Sequence, residues 1–201
     1  MRLLKGKFGM AVLAALAFAT ATAPAGAEPP PQVRSQTPQK ISLSTPQGPV
    51  IGDVVAGGQI HRFRGLPFAM PPVGDRRWRD AQTAPSWTQP RLANRAAPAC
   101  VQGEAPSEFV TPAGEKQPFF FWEPNQLSSE DCLYLNIWTP AQAANERLPV
   151  ILWIHGGAFL GGLGHDSLYL GGPMASRGVI EVTINYRLGV FGFLTHPELS
   201  A

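Results

Sequence analysis

The chain has 201 residues, 44% of them hydrophobic and 15% charged, a balance that excludes a disordered polyelectrolyte and an integral membrane protein and supplies one sizeable core. Twenty-one Gly and 21 Pro exclude an all-helical bundle, because both residues interrupt helices. The formal charge of +2 comes from Arg2, Lys5 and Lys7 near the N-terminus; without them 13 basic residues face 14 acidic ones, so no net basic surface is available for nucleic-acid phosphates.

Those three cations precede an apolar run, Met10 to Ala19, and small residues ending Ala25-Gly26-Ala27. Positive start, short apolar run and A-x-A ending identify residues 1–27 as a cleaved secretory signal, the run being too short to span a bilayer. The mature chain is therefore expected in a secreted or periplasmic setting, with no membrane span after signal cleavage. An oxidising compartment makes the only two cysteines, Cys100 and Cys132, a predicted disulfide; there is no C-x-x-C and no adjacent His to suggest a metal.

Residues 28–44 are rich in Pro and Gln and read as an exposed arm, leaving 45–201 as the folded domain. Val50 to Val55 and Ile60 to Arg64 read as strands joined through Ala56-Gly57-Gly58-Gln59. Prolines and glycines then forbid regular structure until Trp78, and a long Pro-rich loop lies between Cys100 and Cys132. Beyond it, Leu133 to Trp138, Val150 to Ile154 and Val179 to Asn185 are β-branched and aromatic, as expected of strands buried on both faces of a mostly parallel sheet. Ser167 to Arg177 could hold a short helix, which Gly171-Gly172-Pro173 weakens. Strand, loop, helix and strand make an α/β pattern.

The second of these strands runs straight into His155-Gly156-Gly157-Ala158-Phe159. Ligands in open α/β sheets bind at the carboxyl ends of strands, and a glycine turn there can aim backbone N–H groups at developing negative charge. A glycine-rich turn used only for packing would look the same, although a strand followed by an HGGG-type run is the form found in lipases and esterases.

Four segments carry a specific resemblance. Ser129-Glu130-Asp131-Cys132-Leu133-Tyr134-Leu135-Asn136-Ile137-Trp138 resembles the second signature of the type B carboxylesterase and cholinesterase family. Arg64-Gly65-Leu66-Pro67-Phe68-Ala69 with Pro71-Pro72-Val73-Gly74 is similar to its N-terminal motif. Val150 to Phe159 resembles its oxyanion segment, and Asn185-Tyr186-Arg187-Leu188-Gly189 with Phe191-Gly192-Phe193-Leu194 the strand and turn beyond. The resemblance implies the N-terminal, incomplete portion of an α/β-hydrolase fold that cleaves small-molecule carboxylic esters with a Ser, His and acidic triad and needs no cofactor or metal.

Residue by residue, it implies oxyanion donors at Gly157 and Ala158, a turn shaped by Gly156 and supported by His155, and substrate contacts from Trp122 and Phe159. It also implies the Cys100 to Cys132 disulfide and a buried ion pair between Arg77 and Glu130, Arg76 and Arg79 being the neighbouring alternatives. No G-x-S-x-G occurs in the 201 residues, so the triad is expected to lie outside them and this chain alone to be inactive. His165-Asp166-Ser167 is no substitute, since adjacent residues cannot adopt triad geometry, and it reads as a polar loop. A non-catalytic, cholinesterase-like binding or adhesion protein is the alternative on the same fold.

Overall fold

The computed structural model describes residues 39–103, 108–118, 127–143, 145–166, 169 and 171–198. The signal segment, residues 28–38 of the arm and Trp122 lie outside these. In chain order the elements are β1 (Lys40–Thr45), β2 (Gly48–Val55), β3 (Ile60–Pro67), β4 (Arg91–Leu92), β5 (Ala99–Cys100), β6 (Glu108–Val110), β7 (Lys116–Pro118), β8 (Ser128–Ser129), β9 (Tyr134–Thr139), β10 (Val150–Ile154), α1 (Gly172–Ala175), β11 (Ile180–Ile184) and α2 (Gly189–Phe193). Among the described residues no helix is long and apolar enough to cross a membrane.

The main sheet runs β1-β2-β3-β9-β11-β10, with β4 beside β2. Three expectations need correction here. Residues 40–44 are not arm but strand, paired with β2 from Lys40 opposite Asp53 to Thr45 opposite Gly48. Lys40, Ser42 and Ser44 are exposed and Ile41 half-buried, while Leu43 is 40% exposed, so the strand is only lightly covered on one face. The sheet is also less parallel than expected: β1-β2, β2-β3, β3-β9 and β9-β11 are antiparallel, and only β10-β11 and β2-β4 are parallel. Strand β10, expected to be buried on both faces, ends the sheet, and Val150, Leu152 and Ile154 are 61%, 54% and 57% exposed.

Apolar side chains pack on both faces of the sheet. Val50, Phe63, Leu66 and Ala93 form one cluster, joined by Leu135 and Ile137. On the opposite face Ile60, Trp138 and Ala175 pack together, bringing α1 against the sheet. Of the expected helix from Ser167 to Arg177, residues 167, 168 and 170 lie outside the described residues, and the described part holds this one turn, with Pro173 near its start and Gly178 following at φ 84°. Beside the sheet, Cys100 and Cys132 join β5 to the approach to β9 through a disulfide with Cα atoms 4.9 Å apart. Both half-cystines are buried with Ala69, Leu133 and Leu188.

A bulge interrupts β3 and β9 between Phe63 and Leu66. Gly65 sits there at φ 71°, where a Cβ would come within 2.5 Å of the Arg95 carbonyl oxygen. Its N–H donates to Asn136 Oδ1 (3.1 Å), while Asn136 Nδ2 donates to Thr183 Oγ1 (3.0 Å). Asn185 closes a second link, accepting from Gly164 N–H at 2.7 Å and donating to the Pro98 carbonyl at 3.1 Å. Satisfied buried amides of this kind tie the loop after β10 to the centre of the sheet.

Candidate active site

Strand β10 delivers the chain to His155, and the backbone then turns under strain. Gly157, Ala158 and Phe159 have φ of 116°, 53° and 63°, three consecutive residues in a region that costs L side chains energy. A Cβ at Gly157 would stand 1.9 Å from the Gly161 carbonyl oxygen, so only glycine fits. The Gly157 carbonyl accepts from Leu160 N–H (3.0 Å) and Gly161 N–H (3.2 Å), and the Phe159 carbonyl accepts from Gly189 N–H (2.7 Å). Among the described residues no acceptor meets the N–H of Gly157 or Ala158. Two fixed donors without an acceptor are what an oxyanion hole requires.

Gly156 was expected to shape the turn, and the positive φ values begin one residue later, at Gly157. Gly156 has no positive φ, and a Cβ there would meet open space. Its carbonyl lies 2.8 Å from His155 Nδ1. A carbonyl can only accept, so Nδ1 carries the proton and Nε2 the lone pair. His155 is buried against the Tyr186 ring, and its Nε2 has no partner among the described residues. Burial pulls its pKa below the usual histidine value, against the opposing effects of the Gly156 carbonyl and Asp166. The imidazole is thus held neutral as a support for the turn.

Phe159 is more than half exposed and rests on Phe193, with ring centroids 4.5 Å apart. With Leu160 and Val190 these rings form exposed apolar surface beside the two donors. Arg77 and Glu130 meet in a bidentate pair, Nε to Oε2 at 2.6 Å and Nη2 to Oε1 at 2.5 Å. The pair is not buried as expected: the Arg77 side chain is 38% exposed and that of Glu130 20%. The guanidinium holds the Glu130 carboxyl below its ordinary pKa, and the carboxylate raises that of Arg77. Arg76 turns instead to the Pro71 carbonyl. Asp166, in the expected polar loop, is 2% exposed; Ser167 beside it lies outside the described residues.

Sequence reasoning missed Gln102. Its side-chain amide pairs with the Gly162 peptide as a neighbouring strand would, accepting from N–H at 2.7 Å and donating to C=O at 3.2 Å. The C-x-Q spacing from Cys100 was the available signal, but a single Gln in a loop carries little weight by itself. No group of three or more His, Cys, Asp or Glu among the described residues is arranged to hold a metal.

Sheet and turn together define an α/β hydrolase. The family model described as Carboxylesterase family matches residues 39–200, and the chain belongs to that family. The fumonisin B1 esterase of Sphingopyxis macrogoltabida is 43% identical over 80% of this chain and 27% of that protein. The para-nitrobenzyl esterase of Bacillus subtilis is 39% identical over 76% of this chain and 28% of that protein. Among solved structures, a PNB esterase superimposes with a TM-score of 0.63 at 35% identity, covering 78% of this chain and 29% of that one. A Geobacillus stearothermophilus carboxylesterase gives 0.61 at 37% identity, covering 76% and 28%. The chain therefore spans little more than a quarter of the length of the relatives it matches.

Proposed function

We propose that this chain is the oxyanion-bearing N-terminal portion of a secreted or periplasmic serine carboxylesterase. The observation that carries the reading is the strained turn after β10, with the Gly157 and Ala158 N–H groups unclaimed among the described residues. Attack on an ester carbonyl places negative charge on its oxygen, and hydrogen bonds from fixed donors strengthen as that charge grows. Phe159 and Trp122 would line the substrate side of this turn. The basic and apolar start of the sequence and the disulfide support export to an oxidising compartment.

The 201 residues hold no G-x-S-x-G, so nucleophile, base and acid would come from sequence outside them, and these residues alone would not turn over an ester. The test compares p-nitrophenyl butyrate hydrolysis by the 201-residue chain and by the full-length gene product. Turnover is expected only from the longer form, abolished by a serine-directed organophosphate. Organophosphate-sensitive turnover by the short chain would overturn the assignment of the nucleophile, and an inert longer form would favour the binding or adhesion reading.

A further inference from the structure

We propose that Gln102 is a positioning residue that sets the oxyanion turn from outside it, an inference that rests on the esterase reading above. Gln102 lies 60 residues from Gly162 in sequence, yet its amide engages both the N–H and the carbonyl of that peptide. The same Nε2 also donates to the Cys100 carbonyl at 3.0 Å, so the side chain is anchored beside a half-cystine that is 2% exposed. Gln102 therefore clamps the far end of the turn to the disulfide-bonded part of the molecule.

What the clamp holds reaches the donors through backbone contacts without slack. Gly162 has φ 118°, and a Cβ on it would lie 2.3 Å from His155 Nδ1 and 2.6 Å from the Gly156 carbonyl oxygen. The preceding residue, Gly161, donates to the Gly157 carbonyl, and its own carbonyl fills the space a Gly157 side chain would need. Movement at Gly162 is thus transmitted to Gly157, one of the two proposed donors. The other end of the turn has its own tether, Tyr186 Oη donating to the His155 carbonyl at 2.8 Å. With Gln102 removed, Gly162 loses its side-chain partner while Tyr186 still holds His155, Gly189 N–H the Phe159 carbonyl and Asn185 the Gly164 N–H, so donors aimed at a developing oxyanion lose aim before the fold loses stability.

The experiment uses the full-length enzyme with Gln102→Met, which keeps the length of the side chain without its hydrogen bonds, alongside Gln102→Ala. In both, kcat for p-nitrophenyl butyrate is expected to fall about 10- to 100-fold with KM little changed, the cost of donors displaced by a fraction of an ångström. Affinity for a trifluoromethyl ketone, whose adduct carries an oxyanion, should fall in parallel with kcat, while the melting temperature of Gln102→Met stays near that of the parent. Met variant kcat and inhibitor affinity within about twofold of the parent would overturn the proposal. So would a fall in melting temperature with kcat and inhibitor affinity intact. If the parent hydrolyses no ester, the esterase reading fails separately. Amide exchange at Gly157 and Ala158 then decides the positioning role: faster exchange in Gln102→Met upholds it, and unchanged exchange ends it.

Discussion

Tyr186 covers His155 twice, its ring stacked on the imidazole with centroids 4.4 Å apart and its hydroxyl donating to the His155 carbonyl at 2.8 Å. One side chain thereby holds the last residue before the strained turn by both its ring and its backbone. Tyr186→Phe keeps the stack and loses the bond, so it should cost about 1 kcal/mol in urea unfolding. Tyr186→Ala loses both and should cost about 3 kcal/mol, in the range for truncating a packed aromatic ring.

The two glycines of the turn should respond differently to a methyl group. Gly157→Ala has no room, because the Gly161 carbonyl occupies the Cβ position, and the full-length enzyme should lose most of its esterase activity. Loss of one oxyanion donor costs about 100- to 1,000-fold in kcat, and a displaced turn should approach that figure. Gly156→Ala meets no neighbour and should leave kcat within about threefold. Steady-state kinetics of the pair measures the contrast.

Glu181 lies opposite Trp138 on β11, 6% exposed, and its Oε2 has no partner among the described residues. Burial raises its pKa above the ordinary 4.5. The folded chain consequently binds this proton more tightly than the unfolded chain does. The stabilisation is complete below pH 4.5 and is lost as pH rises through the higher folded value. Glu181→Gln should raise the urea midpoint at about pH 7 and leave it nearly unchanged at about pH 4.

The Cys100 to Cys132 bridge closes a loop with a sequence separation of 32. Reducing it, or making Cys100→Ala with Cys132→Ala, should cost about 3 to 4 kcal/mol through the entropy returned to the unfolded chain. Alkylation of the purified, unreduced protein should label no thiol, and two labelled cysteines would contradict the bridge.

Much of the sheet was legible because β2, β3, β9, β10 and β11 have β-branched and aromatic runs bounded by turn residues. Strand β1 was hidden because Lys40, Ser42 and Ser44 face solvent and continue the polar look of the arm before them. Exposure of β10 could not be read from Val150 to Ile154, since apolar composition does not say which neighbours are present to cover a strand. The glycine turn after β10 was visible as His155-Gly156-Gly157, but not which glycine takes the positive φ, which depends on where Gly161 folds back. The hydrogen bonds of Gln102, Asn136 and Asn185 could not be read for one reason: they reach backbone groups as far as 60, 71 and 87 residues away, which no local pattern encodes.

Strand β10 also governs how a chain of this length behaves as a material. Its inner edge pairs with β11, and no described strand pairs with its outer edge. Five successive apolar residues stand exposed along it, with no charge or proline to repel a second strand. Such an edge is a template for self-association, so the purified 201-residue chain should show concentration-dependent growth in light scattering. Leu152→Lys, which places one charge at the middle of the strand, should keep it monodisperse at concentrations where the parent clouds.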